Sequence, residues 1–473
     1  MRPAAWRGRG WRAPLAAVLL CLPGMVRAQG QAAPVTVPAG FTLPEGAGDR
    51  IYPQLGDAGL DVLHYDLSLT SDPRVDELSG RAVLTVTALR ELAQVNLDFE
   101  GLTVTGAKID GTPARHAQVG TKLLLRPARP VPAGATFTVT VAYRGTPPLH
   151  LDPADGLRLG WITQAGGSYV LSEPDGSHTF FPCNDVPADG ATYSVHLDVP
   201  EGFVGVAGGV PGDPVTAGGR TRASFELPFE IPTYAMTVHV GRLQVVPRPG
   251  FAGVTVRDVF PRDVDDAVRS SFGSPARMLE VLSGWFGPFP YPLYGVAVVN
   301  DPQIPALETA TLSTFPARAQ GERVAAHEMA HQWFGDSVRL ADWSDVWLNE
   351  GFATYAEQLY LEAQGEDPGA LPARWYSSLR NAPARGLVAR SAPQLFDTSS
   401  YLRGALALHA LRGAVGDGVF REVLRTYVTR FTGRAVRTAD LLDVVRDVAG
   451  QAGTDAVTPW VVGPDLPPLP PAS

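Results

Sequence analysis

The stretch VAAHEMAHQWFGD, residues 324–336, places two histidines four positions apart with a glutamate directly after the first. On a helix, positions i and i+4 project from one face with their Cβ atoms about 5–6 Å apart. His327 and His331 can therefore both reach one metal ion at about 2.0–2.1 Å. Glu328 lies on the flank of that face. It is too displaced to be a third ligand but can reach a water held on the ion, which is the HExxH arrangement. Val324, Ala325, Met329 and Trp333 make the surroundings apolar, and a low dielectric strengthens the ion's field. A catalytic zinc takes three protein ligands and leaves one position for water. The third candidate is Glu350 in WLNEGFATYAEQ, nineteen residues after His331 and at the start of the next strong helical pattern. That gap lets the first helix end near Gly335, a loop turn through DSVRLADWSD, and a second helix bring Glu350 back. The expected cofactor is one Zn2+ per chain.

Around this stretch the texture is helical. DDAVRSSFGSPARMLEVLSGWFG, YLRGALALHALRGAVG, GVFREVLRTYVTRF and TADLLDVVRDVAG all carry amphipathic spacing broken by Gly and Pro. Before about residue 243 the period is two. Tyr65, Leu67 and Leu69 alternate with Asp66, Ser68 and Thr70. A second such run begins at Val83 and Thr85, and Phe137, Val139, Val141 and Tyr143 alternate with threonines. Short strands separated by turn signals predict an antiparallel β domain over 60–243. A mostly helical domain follows over 244–460, then a Pro-rich, mobile tail over 461–473. Residues 29–59, rich in Pro, Gly and Ala, read as a loose lead-in.

The first 28 residues read as a cleaved export signal. A basic start, MRPAAWRGRGWR, precedes a short apolar run and small residues at Val26 and Ala28. An uncleaved anchor is the alternative. Cleavage leaves Cys183 as the sole cysteine, so no intramolecular disulfide forms. The protein is expected outside the cytoplasm, in the periplasm, cell envelope or medium, with no stable membrane insertion once the signal is removed. A formal net charge of −9 and the absence of a basic stripe argue against a nucleic-acid partner.

HExxH, eighteen residues and then a glutamate inside WLNEGFA together resemble the zinc aminopeptidases of the aminopeptidase N and leukotriene hydrolase family, the gluzincin type. The resemblance runs from the strands near Tyr65 to TPWVVGPDLPPL. It implies an α+β multidomain fold, with an N-terminal antiparallel β domain followed by a thermolysin-like, mostly helical zinc-peptidase domain. PALET at 305–309 stands where the family has Gly-Ala-Met-Glu-Asn. This puts Ala306 and Glu308 in substrate binding, Glu308 on the substrate's α-amine. Pro305 and Thr309 depart from the pattern, and Pro305 has no N–H to offer substrate. LSEPDGSHTFFPCND (171–185) resembles a segment in which a glutamate twelve residues before an aspartate gives a second amine anchor, here Glu173 before Asp185. YLRG (401–404) resembles Tyr-Glu-Lys-Gly, implying Tyr401 as the oxyanion donor, with Arg403 where lysine is usual.

The resemblance thus implies an aminopeptidase acting on peptides with a free N-terminus. A metalloendopeptidase would share the zinc ligands but need no carboxylates for an amine. A zinc-bearing binding protein would need neither Glu328 nor Tyr401. Family members commonly carry four domains and this sequence accounts for two, so the cleft is expected to be open along one side. His64, His116, His178, His196, His239 and His409 read as structural or surface residues.

Overall fold

The computed structural model describes residues 36–469, apart from 155 and 165. The export-signal reading of residues 1–28 lies outside the described residues. From Val37 onward the chain forms one compact unit.

The period-two runs become the strands of a nine-stranded sheet. Strand 60–72 lies at its centre, between 77–88 and 191–200. Tyr65, Leu67 and Leu69 are buried while their neighbours reach the half-buried face. In the next strand the buried set is Ala82, Leu84 and Val86, and Val83 and Thr85 face the other way. The register explains this. Tyr65 pairs with Leu84 and Leu67 with Ala82, and residues directly opposite share a face. One pairing departs from the antiparallel expectation: 60–72 runs parallel to 191–200, with Tyr65 opposite Tyr193. Their rings stack at 5.0 Å. A second sheet of five strands holds 204–207, 238–241, 167–171, 158–164 and 150–151 in that order.

The region after 243 is not purely helical. Strands 243–251, 254–261, 293–294, 296–299 and 313–316 form a third sheet. Strands 296–299 and 313–316 are parallel, and the chain between them folds back so that Leu307 bridges Thr314 antiparallel. Segment 305–309 thus lies along the sheet edge. Around this sheet pack α1 (Asp266–Ser270), α2 (Pro275–Phe286), α3 (Glu322–Ala330), α4 (Trp347–Glu362), α5 (Ala370–Leu379), α6 (Gly404–Phe431) and α7 (Thr438–Val461). α2 starts with Pro275 at its first position and the Ser274 hydroxyl accepting from the Arg277 N–H, a standard stop for the orphan donors of a helix start. α6 and α7 each kink at a glycine, Gly416 and Gly450, with φ of 75° and 62°. Among the described residues no helix is long and apolar enough to cross a membrane.

The lead-in is less loose than its composition suggests. Asp49 accepts from the N–H groups of Ile51 and Tyr52 at 2.7 and 2.8 Å and from the Trp343 N–H at 2.7 Å. Arg50 pairs with Asp342 at 3.0 Å and Asp345 at 3.2 Å. A few residues on, the Gly56 and Asp57 N–H groups donate to Asp98 and Asn184 in the β region. The segment therefore ties both halves together, and one continuous hydrophobic core runs from Tyr65 and Val195 to Leu406 and Val445. Asp49→Ala strips an acceptor from three backbone donors, and a buried donor left unpaired costs about 1–3 kcal/mol. The variant is expected to lose at least that much stability, read as a lower midpoint in urea unfolding at unchanged slope.

Candidate active site

Every polar residue that the sequence nominates comes to one place. α3 carries His327 and Glu328, and His331 caps its C-terminus. The helix ends at Ala330, earlier than Gly335, and a series of turns through Trp333 completes the stretch. α4 supplies Glu350 from its first turn. Glu350 Oε2 lies 3.3 Å from His327 Nε2 and 3.5 Å from His331 Nε2. Two ligands of a tetrahedral zinc, each at about 2.0–2.1 Å, sit roughly 3.3 Å apart. The donor set, two imidazole nitrogens and one carboxylate oxygen, therefore fits zinc in both spacing and chemistry.

The far nitrogens fix how these rings point. His327 Nδ1 meets Glu357 Oε1 at 2.9 Å, and the other oxygen of Glu357 takes Arg323. His331 Nδ1 meets the Phe334 carbonyl at 3.0 Å. With Nδ1 donating on both rings, each Nε2 presents its lone pair to the ion. The field is strongly negative. Burial works against charge on Glu350, but before an ion binds the protonated rings of His331 and His327 outweigh it and hold its carboxyl down at about 2. Burial lifts Glu328 to about 7, although His327 and His331 pull the other way.

Glu173 and Glu308 close the other side. Oxygens of Glu173, Glu308 and Glu350 lie within 4.8 Å of one another. Glu173 Oε1 and Glu308 Oε1 are both buried with no hydrogen-bond partner among the described residues. Burial raises both carboxyls, and Glu308 raises Glu173 further by direct repulsion. Buried unpaired carboxylates are costly unless a cation joins them. Ala306 is half-buried on the same edge segment. Asp185, twelve residues after Glu173, is not at this site; it accepts from Thr233 and faces His178.

Tyr401 stands in a π-helical turn, Ser399–Arg403, that leads into α6. Such wide turns recur at functional sites because they re-aim one side chain. Its ring lies parallel to His327 with centroids 6.2 Å apart. Burial, and then the nearby Glu350, Glu173, Glu308 and Glu328, raise its hydroxyl well above the usual phenol range, so it remains a donor. The turn is held from both ends. Gly351 of α4 meets Gly404 backbone to backbone, and a Cβ on Gly351 would sit 2.8 Å from the Gly404 Cα. Arg403 points away from the site. Its guanidinium binds the carbonyls of Trp460, Pro459, Pro464 and Asp465 at 2.7, 3.3, 3.1 and 2.9 Å. Residues 459–465 are therefore clamped, including the part of the tail expected to be mobile. All six carboxylate and imidazole residues of the site are buried, and the half-buried Ala306 and Tyr401 flank them.

Two residues that the sequence reading did not nominate hold the parts together. Gln332 donates from Nε2 to the Glu308 carbonyl at 2.9 Å and accepts from the Thr311 N–H at 2.7 Å. It ties the histidine stretch to the edge segment. Thr311 has φ of 63°, an unusual state for a β-branched residue; its hydroxyl accepts from the Gly209 N–H at 2.7 Å. Glu357 is the other. It lies seven residues after Glu350, two helical turns along the same face, a spacing that could have revealed it.

A buried His-His-Glu set on two packed helices, with a glutamate beside the first histidine, defines a zinc peptidase centre. The Peptidase M1 N-terminal domain matches residues 62–235 and the Peptidase family M1 domain matches residues 275–460, and the chain belongs to this peptidase family. A crystal structure of an M1 zinc metallopeptidase from Deinococcus radiodurans is similar with a TM-score of 0.87 and 44% sequence identity, covering 90% of this chain and 100% of that one. A mutant of the Deinococcus radiodurans M1 zinc metallopeptidase bound to the substrate Tyr-Ser-Ala matches equally well, with a TM-score of 0.87. Endoplasmic reticulum aminopeptidase 1 of Rattus norvegicus is 23% identical over 437 residues, 84% of this chain and 47% of that protein. The chain spans about half the length of the curated relatives it matches across most of its own length.

Glu357→Gln keeps the shape but removes the charge that orients His327. Zinc affinity is expected to fall about 10–100-fold, the usual cost of losing such a partner. Competition against a chromogenic chelator measures it.

Proposed function

We propose that the protein is a zinc-dependent aminopeptidase that removes residues one at a time from the N-terminus of peptides. The observation that carries this is the pair of buried carboxylate oxygens, Glu173 Oε1 and Glu308 Oε1, with no partner among the described residues, beside the His-His-Glu set. An endopeptidase has no use for them. A substrate's α-ammonium supplies the missing positive charge and donors, and its binding there leaves the first peptide bond over the metal donors. Similarity to a metallopeptidase that binds Tyr-Ser-Ala supports a peptide as the substrate.

His327, His331 and Glu350 hold the zinc. When bound, zinc acts as a Lewis acid and brings the deprotonation of water into the neutral range. Glu328 takes the proton of the attacking water on its carboxylate and passes it to the leaving amine. Burial helps here, because it raises the Glu328 carboxyl above its ordinary range and so favours the protonated form that returns the proton to the leaving amine. Tyr401 donates its hydroxyl proton in a hydrogen bond to the developing oxyanion. Ala306 and the edge segment line the backbone of the bound peptide. Export rests on the first 28 residues alone: a basic start, a short apolar run and small residues before the cut. N-terminal sequencing of the protein recovered outside the cytoplasm tests it, and a start near residue 29 is the expected result.

Hydrolysis of amino-acid anilides against their N-acetylated forms tests the main reading. The free forms are expected to be cut and the acetylated forms spared; equal cleavage of both would favour an endopeptidase. Glu328→Gln is expected to keep its zinc and lose nearly all turnover, with metal content and rate measured on one sample. Tyr401→Phe is expected to lower kcat by about 2.7–4 kcal/mol of transition-state stabilisation, with a smaller change in KM.

A further inference from the structure

Away from the peptidase centre, three residues from distant parts of the sequence converge in the β region. Glu100 follows strand 95–98, His150 starts the short strand 150–151, and His178 stands in the 3-10 turn 177–179. One ligand atom from each lies within 4.8 Å of the others. Glu100 Oε2 is 3.1 Å from His150 Nδ1 and 3.7 Å from His178 Nε2. We propose that Glu100, His150 and His178 form a second zinc site, distinct from the catalytic one, that staples the segment carrying Glu173 to the rest of the β region.

The far nitrogens again decide the matter. His178 Nδ1 meets Asp185 Oδ2 at 2.7 Å, and His150 Nε2 meets Asp175 Oδ1 at 3.1 Å. Each ring is thus oriented by a carboxylate at one nitrogen, and the other nitrogen, His178 Nε2 or His150 Nδ1, faces Glu100, where an ion would take its lone pair in place of a proton. This is the outer-shell pattern of a metal-ligating histidine. It also matches the ring arrangement at the peptidase centre, where Glu357 orients His327. The spacings bracket the roughly 3.3 Å expected between ligands of one tetrahedral zinc. The side chains of His178, His150 and Glu100 are 1%, 16% and 32% exposed. The cluster therefore runs from a buried floor to an accessible mouth, where water can complete the coordination.

The competing reading is a network of two imidazoliums and three carboxylates. The carboxylates do favour positive charge. Burial opposes protonation, yet Asp175 and Glu100 lift His150 to about 9, and Asp185 and Glu100 lift His178 to about 10. The geometry separates the two readings. A protonated His178 would aim its Nε2–H at Glu100 Oε2, but at 3.7 Å that oxygen lies beyond hydrogen-bond reach, and the buried nitrogen has no hydrogen-bond partner among the described residues. A buried donor left unpaired is costly. A divalent cation uses that lone pair and balances the same negative charge, displacing the ring protons as it binds. Histidine and carboxylate together suit zinc among the common divalent ions.

The site lies on LSEPDGSHTFFPCND. Glu173, Asp175, His178 and Asp185 all belong to it. An ion there joins this segment to Glu100 and His150, adding to the His150–Asp175 contact at 3.1 Å, the Glu100 N–H donating to the His178 carbonyl at 2.9 Å and the antiparallel bridge between Asp98 and Cys183.

Zinc counting on the full chain tests the proposal independently of peptidase activity. The protein is saturated with Zn2+, freed of loose ion by gel filtration, and analysed for zinc per chain. Two ions are expected for the parent protein, one for Glu350→Ala, one for the double variant Glu100→Gln with His150→Gln, and none for the triple combination. Glu100 and His150 are partly exposed, so these substitutions spare the core. Added zinc is also expected to raise the Tm of Glu350→Ala and to leave that of the triple variant unchanged. One zinc in the parent protein, two retained after loss of Glu100 and His150, or no zinc-dependent Tm rise in Glu350→Ala would each overturn the second site. None of these results bears on whether the first site cleaves peptides.

Discussion

Glu350 is almost wholly buried, and its carboxylate meets two imidazole nitrogens at 3.3 and 3.5 Å. A carboxylate so deep in the protein demands a cation. Much of the local architecture holds the three donors at the distance an ion requires. Glu357 and the Phe334 carbonyl orient the two rings. The Gly351–Gly404 contact presses α4 against the start of α6 and so brings Tyr401 beside Glu350. Gln332 locks the edge segment, with Glu308, to the histidines. Each of these is a short-range polar or steric constraint, yet together they set the position of every group that a peptide would meet.

The parts of this site that were legible in the sequence were those with local spacing. HExxH is read within one helical turn, and Glu350 follows at a fixed interval on the next helix. Tyr401, Glu308 and Glu173 emerged only through resemblance to a family, because nothing in their own neighbourhoods marks them. Gln332 and Glu357 carry no such mark. A glutamine beside a histidine has no periodic signature, and Glu357 looks like any other charge on an amphipathic helix until its alignment with Glu350 is considered. His178 reads as structural from the sequence, because its companions Glu100 and His150 are distant along the chain.

At the level of the fold, alternation located the strands of the first sheet, whose two faces differ in polarity. It failed for the third sheet. VAVV at 296–299 is buried on both faces, and a short continuous apolar run does not distinguish strand from helix. The parallel pairing of 60–72 with 191–200 was invisible for another reason. Strand direction depends on the connection between strands more than a hundred residues apart, and no local pattern records it. Composition also misleads over the lead-in, residues 29–59, where Pro, Gly and Ala suggest looseness. Asp49 and Arg50 show that two well-placed polar side chains suffice to dock such a segment.

The Arg403 clamp has a practical side. Its guanidinium spends its donors on carbonyls from Pro459 to Asp465, two residues away in sequence from Tyr401. A reporter or affinity tag spliced directly after Val462 would remove the Pro464 and Asp465 acceptors. It would leave a buried cation short of hydrogen bonds at the foot of the π-helical turn. The same tag joined after Leu469 would leave the clamp whole. Engineering at this end of the molecule is therefore engineering of the tyrosine's footing, although the splice point carries no reactive residue.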